Sequence, residues 1–407
     1  MDTQNTPIHI KLWHRDFWRL CFANLLLMSS VYMLIVGIPS YMLSEGYDSQ
    51  SVGLVLGAYG IGIFLLGGCC SYLVQRYRRN HVCQWAILGV VVCIALFYYL
   101  EMFLHLKVDL WMMIAARIVL GACLGLAQMT LASTLIIDTC ESFQRTEANY
   151  ITSWFARFAL AIGPVVAVAV GDSFDFKYVF PVAGVTALIA FVLVMRAKFP
   201  FKAPAEHLPK WSLDRFFLPQ GFPLFVNIVM IMTVVGIILS FPHSLACYLT
   251  MMAGMVLAVI AEKYAFADAD LKSEVIAGLI MMGAALLVAL SHSSQSSIEF
   301  FTPALLGCGV GIIGSRFLLF YIKLAKHCQR GTSMSSFFLS WEGGLSLGLF
   351  LGFFLADHPS PKVLMQSLPV LDKIDHPLIF LCLGIVLVSL LVYNFLVHPW
   401  YMKHRNR

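Results

Sequence analysis

The chain has 407 residues, of which 60% are apolar and only 12% charged, and its mean hydropathy is +0.82. So few charges cannot solvate the surface of a globule of this size, which excludes a water-soluble protein and leaves a polytopic membrane protein. The net charge of +5 reflects the topology of the loops, not a nucleic-acid partner.

Apolar runs near or above the roughly 18 residues needed to cross the hydrocarbon as a helix recur between short polar breaks. Twelve spans are predicted in chain order, at 17–43, 51–73, 82–104, 110–138, 149–171, 177–196, 222–241, 244–263, 274–292, 298–325, 334–356 and 377–397. No signal peptide is expected, because the charged start Lys11, Arg15, Asp16 and Arg19 runs into an apolar segment too long for an h-region. The run 196–220 carries Pro200, Pro204, Pro209 and Pro219 among basic residues and reads as a linker. The connection from Asp357 to His376, with Pro359, Pro361 and Pro369, reads as an ordered surface loop.

The chain also repeats itself. Gly121-Ala-Cys123-Leu-Gly125 leads to Gln144-Arg145, and 186 residues later Gly307-Cys-Gly309-Val-Gly311 leads to Gln329-Arg330. Phe22-Ala-Asn24 with Pro39 recurs as Phe225-Val-Asn227 with Pro242, and Gln75-Arg76-Tyr77 as Glu262-Lys263-Tyr264. Two homologous halves follow, an N-terminal bundle at 1–197 and a C-terminal bundle at 222–407, joined by a linker at 198–221. Parallel repeats of hydrophobic bundles are a common plan for secondary transporters, with the substrate site between the halves. Pro242 and Glu262 stand 20 positions apart where Pro39 and Gln75 stand 36 apart, so spans 7 and 8 need a tight hairpin.

Loop charges set the orientation. One set of alternate loops and termini holds 20 Lys and Arg residues and the other only Lys107, Lys177, Lys362 and Lys373. Basic residues stay on the cytoplasmic side, so both termini are expected there, in the cytoplasmic (inner) membrane. The eleven cysteines are scattered and suggest no disulfide framework. The histidines fall at span ends or in loops without metal-ligand spacing, so no metal or cofactor is expected.

Four ionisable residues sit deep in the spans: Arg117, Arg157, Arg316 and Glu342. A charge at mid-membrane costs at least roughly 2.5–3.5 kcal/mol, so such groups normally face a bundle interior or a wet cavity and have a partner. Arg157 and Glu342 occupy equivalent places in the duplication, about eight residues or ~12 Å from the cytoplasmic ends of spans 5 and 11. Glu342 reads as the only deep carboxylate, with Arg316 of its own half or Arg157 of the other as its partner. A carboxyl group whose cationic partner leaves during a conformational change can bind and release a proton, which makes Glu342 the candidate coupling residue. Three arginines against one glutamate leave two positive charges, suited to an anionic or zwitterionic solute. Arg117 has the simpler alternative of bonding carbonyls near its helix end. Further polar candidates for the cavity are Asn24, Ser29 and Tyr32 on span 1, Gln128 on span 4, Asn227 and Thr233 on span 7, and Trp341 on span 11.

These features resemble the major facilitator superfamily of secondary transporters. The loop Ser71-Tyr-Leu73-Val-Gln75-Arg76-Tyr-Arg78-Arg79 is similar to that family's Gly-x-Leu-Ala-Asp-Arg-x-Gly-Arg-Arg signature, with Arg76 and Arg79 as the matching charges and Gln75 in place of the acid. The resemblance implies a cytoplasmic gate at Arg76 and Arg79 and at the second copy, Glu262 and Lys263. Arg117-Ile-Val-Leu-Gly121 resembles an element of proton-linked members, and Ala159-x-x-x-Gly163-Pro164 resembles a Gly-Pro motif of antiporter-type exporters. Gly163, Pro164, Gly344 and Gly348 also have a purely physical reading, since small residues let membrane helices approach closely.

The expected fold is an all-α membrane protein of twelve transmembrane helices in two pseudo-symmetric six-helix bundles. The expected function is alternating-access transport of a small organic solute, as proton-coupled efflux of an anionic or amphipathic compound, with the export direction implied by the resemblance. The protein is expected to work as a monomer in the lipid bilayer. An uptake carrier for an organic anion and a lipid flippase are the alternatives within transport. A nontransporting sensor or a polytopic enzyme is the alternative outside it, although the chain lacks the clustered His and carboxylate residues that such an enzyme needs.

Overall fold

A computed structural model describes residues 12–102, 109–199, 208–241, 243–266, 268–290, 296–326, 329–356 and 376–405. The loop 357–375, the first part of the linker and Pro242 lie outside the described residues. Every regular element among the described residues is helical, as a lipid solvent demands, because helices satisfy their backbone polar groups within one segment. Among the described residues, eleven helices are long and apolar enough to span, and one bent pair makes the twelfth.

In the N-terminal half, span 1 is Arg15–Ser44, span 2 is Ser49–Leu65 with Gly67–Arg76, and span 3 is Arg79–Tyr99. Span 4 is Leu110–Asp138, span 5 Arg145–Ser173 and span 6 Phe176–Arg196. In the C-terminal half, span 7 is Pro219–Ser240, span 8 Leu245–Tyr264 and span 9 Leu271–Leu290. Span 10 is Phe300–Leu324, span 11 Arg330–Leu355 and span 12 Pro377–His404. Residues 241–244 alone join spans 7 and 8, and the Ser244 hydroxyl caps span 8 by accepting from the Cys247 amide at 3.3 Å.

Three spans depart from the uniform helices expected. Span 2 bends by 45° between Leu65 and Gly67, where the rings of Phe216 and Trp211 occupy the space beside Gly67 and Gly68. Span 4 relaxes into a π turn at Leu131–Leu135. Span 12 does the same at Tyr393–Val397 and then continues to His404, so His398 lies inside a helix and not at its end. Pro399 explains this last turn, since it lacks an amide proton and its ring clashes with the carbonyl four residues back.

The duplication is visible in the packing. Span 1 packs on spans 5 and 6, span 4 on spans 2 and 3, and span 3 on span 6; spans 7 to 12 repeat the same neighbours six spans later. Across the halves, span 2 lies along span 11 and span 5 along span 8.

Glycine sets the closest approaches. A side-chain carbon at Gly348 would fall 2.7 Å from the Gly236 Cα, and one at Gly121 would fall 3.1 Å from the Gly62 Cα. In lipid no hydrophobic force draws helices together, so this backbone-to-backbone contact is a main source of cohesion. Gly348→Val is therefore expected to force spans 7 and 11 apart at a cost of about 1–3 kcal/mol and to lower the melting temperature of the purified protein. Gly184→Ala, whose new carbon would meet only Ile94 at 3.7 Å, should leave that temperature unchanged.

Candidate functional site

Span 11 presents two faces. On one, Gly344, Gly348 and Gly352 seat it against span 7 at Val229–Met232, Gly236 and Ser240. Glu342 has no exposed surface, and its carboxylate meets the opposite half of the protein. Tyr32 on span 1 donates its hydroxyl to one carboxylate oxygen, and Tyr59 on span 2 donates to the other at 2.8 Å. The expectation that Arg157 or Arg316 pairs with Glu342 is thus corrected: two phenols hold it.

Small residues position both phenols. A side-chain carbon at Gly163 would fall 2.7 Å from the Tyr32 Cβ, so the Gly163-Pro164 step brings span 5 directly behind Tyr32. Gly62 and Gly121 bring span 4 against span 2 beside Tyr59. The Arg117 guanidinium then lies 5.2 Å from the centre of the Tyr59 ring. Arg117 is 2% exposed, and its Nε and Nη1 have no hydrogen-bond partner.

Arg157 also crosses between the halves. Its Nη1 donates to the Gly311 carbonyl of span 10 at 2.9 Å, while Nε and Nη2 bond Ser153 one turn away. The guanidinium stacks 3.9 Å from the Trp154 ring centre, a cation–π contact that partly compensates for lost water. Trp341 packs at Gly314 next to the Arg157 side chain.

Arg316 belongs to a cluster that Arg157 borders. It pairs with Glu274 of span 9 and lies 3.9 Å from Glu262 of span 8. Glu262 accepts from Ser315 on span 10 and from Tyr150 on span 5 of the other half. Both carboxylates are buried near the ends of their spans, so Glu342 is not the only acid enclosed by the protein. The expected surplus of two positive charges is corrected accordingly. Three buried guanidinium groups stand against three buried carboxylates, with Arg157 and Arg316 both beside Glu262 and Arg117 beside Tyr59.

The amides serve interhelix contacts. Asn24 donates to the Thr152 carbonyl at 3.2 Å and accepts from Gln128 at 2.8 Å, which ties spans 1, 4 and 5 together. Its repeat partner Asn227 donates to the Ser389 carbonyl on span 12 at 3.0 Å. Of the gate residues, Arg79 pairs with Asp138 at the end of span 4, whereas Arg76 and Lys263 are exposed. Tyr59 and Glu274 escaped the sequence reading. Nothing in an apolar stretch marks one tyrosine as facing a carboxylate, and Glu274 sits at a span end, where sequence suggests solvent.

The Major Facilitator Superfamily model matches residues 20–349. Among solved structures, the chain is similar to the POT family transporter PepTSo, at 12% identity with a TM-score of 0.68, covering 96% of this chain and 99% of that one. It is similar to a bacterial homologue of the iron transporter ferroportin in an outward-facing state, at 16% identity, TM-score 0.62 and coverage of 96% and 100%. It is also similar to the xylose transporter XylE from E. coli in an inward-open conformation, at 11% identity, TM-score 0.65 and coverage of 93% and 95%. No curated protein matches it in sequence.

The Arg316 cluster has a direct energetic consequence. Removing one partner of a buried ion pair leaves an uncompensated charge and costs about 3–5 kcal/mol. Arg316→Met is expected to lower the yield of monodisperse protein sharply, whereas Arg316→Gln combined with Glu262→Gln and Glu274→Gln should recover most of it. Size-exclusion chromatography after detergent extraction reads both outcomes.

Proposed function

The chain belongs to the major facilitator superfamily, and from that footing we propose that it is a proton-coupled carrier exporting a small anionic or zwitterionic solute by alternating access. It is a multi-pass membrane transporter and not an enzyme. In the proposed cycle the bundles 1–197 and 222–407 rock about a midplane site, joined by the linker 198–221. The 20 to 4 distribution of basic residues supports cytoplasmic termini in the inner membrane, and a monomer suffices for the cycle.

The observation that carries this reading is the tie from Glu342 to Tyr32 and Tyr59. The carboxylate comes from one half and both donors from the other, so relative motion of the halves must change its partners. While the phenols donate, the charge is stabilised by hydrogen bonds. Once they withdraw, a bare carboxylate in an apolar surrounding is too costly to keep, and a proton is bound. Proton uptake is thereby linked to the conformational step.

Solute recognition falls to Arg117 and Arg157. The unpartnered Nε and Nη1 of Arg117 leave donors free for a carboxylate or a similar planar anion. Glu342 lies on the other side of the Tyr59 hydroxyl from the Arg117-flanked ring, and its negative charge also suits a solute carrying an amine. Export follows from the resemblance at Ala159-x-x-x-Gly163-Pro164.

Proteoliposomes bearing a pH gradient and a panel of labelled organic and amino acids test the reading. Wild-type protein is expected to accumulate at least one of them in response to the gradient. Glu342→Gln should abolish the gradient-driven component while leaving downhill exchange, and full retention of coupled flux would remove Glu342 from the mechanism. Tyr59→Phe, which deletes one donor, is expected to reduce coupled flux several-fold with less effect on downhill exchange. Direction follows from cells: expression should lower the internal level of the solute, and a rise would identify uptake.

A further inference from the structure

The segment between the halves is no slack tether. Trp211 and Phe216 lay their rings beside Gly68 and Gly67, at the bend of span 2, where any larger residue would displace them. The Ser212 amide donates to the Gly68 carbonyl at 2.9 Å. Asp214 then divides its carboxylate between the two halves, with Oδ2 accepting from Ser71 on span 2 at 3.1 Å and Oδ1 from Thr332 on span 11 at 3.2 Å. Arg215 follows the same plan. Its amide donates to the Thr332 hydroxyl at 2.9 Å, and its guanidinium donates to Thr134, in the π turn of span 4, at 3.2 Å. The Leu218 amide completes the set by donating to Ser336 of span 11 at 2.7 Å.

Arg215 has a φ of +59°. A non-glycine residue holds this left-handed conformation only where its surroundings over-determine it. Here the amide, the guanidinium and the flanking aspartate are all bonded, across both halves. The linker is thus built to fit the gap between the ends of spans 2, 4 and 11.

We propose that residues 211–218 form a latch that holds the linker-side ends of the two halves together, with Asp214 as its double-sided bolt. The latch supplies a carboxylate that the loop after span 2 lacks, since Gln75 stands at the acidic position of the resembling signature and turns back to Ser71 at 2.8 Å. Beside it, the backbone contact of Gly331 on span 11 with the Ser133 carbonyl, also in the π turn, closes the same end. Opening this side requires Asp214 and Arg215 to release either span 2 and span 4 or span 11. Because Asp214 and part of Arg215 are reached by solvent, the latch can be weakened without disturbing the buried helix contacts.

The inference rests on halves that rock, but not on Glu342 or on proton coupling. Hydrogen–deuterium exchange of the purified full-length protein in lipid nanodiscs tests it, comparing backbone amides at the linker-side ends of spans 2 and 11 with those at their opposite ends. Asp214→Ala is expected to raise exchange at the linker-side ends at least threefold and to lower it at the opposite ends, as the population shifts toward opening on the linker side. Thr332→Val, which removes the partner on span 11 and leaves the linker intact, should act in the same direction. As a control for rocking itself, Gly53→Trp places a wedge against Phe353 at the opposite end, where a side-chain carbon would already lie 3.2 Å from the Phe353 Cβ. It should protect the linker-side ends. Unchanged exchange in Asp214→Ala, or equal loosening at both ends, would overturn the latch while the control still responds. Failure of the control to respond as well would overturn the rocking reading on which the latch depends.

Discussion

A carboxylate buried at the seam of two helical bundles is the constraint around which this protein is organised. Glu342 has no exposed surface, and water cannot compensate its charge. Its hydrogen bonds must therefore come from protein, and both come from the other half, through Tyr32 and Tyr59. A fixed bundle would have had no need to divide this interaction between its two repeats. In the proposed rocking cycle, acceptor and donors stand on opposite halves, so the state of the carboxylate would depend on the arrangement of the halves.

The rest of the packing serves that geometry. Gly163 allows span 5 to stand directly behind Tyr32, Gly62 and Gly121 bring span 4 to the back of Tyr59, and Gly344 and Gly348 press span 11 onto span 7. Asn24 and Gln128 tie spans 1, 4 and 5 of the N-terminal half together with hydrogen bonds. The remaining buried charges divide into local groups. Arg316 is compensated by Glu262 and Glu274, and Arg157 by a carbonyl, a serine and an indole face. Arg117, with two unpartnered nitrogens, is left with unused binding capacity.

The twelve spans and the duplication were legible because helix length and apolar runs are one-dimensional properties of the chain. The contacts of spans 7 to 12 repeat those of spans 1 to 6, as the paired Asn24 and Asn227 motifs implied. Partners across the seam were not legible. Counting residues from a span end gives depth but not the helix face, so Arg157 and Arg316 suggested themselves for Glu342 on charge alone, while the phenols of two other helices took the position. The bend in span 2 was hidden for a similar reason. Leu65–Gly67 is apolar throughout, and what fills the space beside it is the linker, distant in sequence, with its rings at Trp211 and Phe216. Nothing in the sequence marks Glu274, at the start of span 9, because only tertiary packing buries it.

In the proposed cycle the protonation of one carboxylate follows the arrangement of the halves. Infrared difference spectroscopy on the protein in lipid, triggered by a pH jump, observes that proton without needing a substrate. A protonated-carboxyl stretching band is expected that disappears in Glu342→Gln and moves in frequency in Tyr32→Phe. A wild-type difference spectrum without such a band, or one that survives intact in Glu342→Gln, would contradict the account.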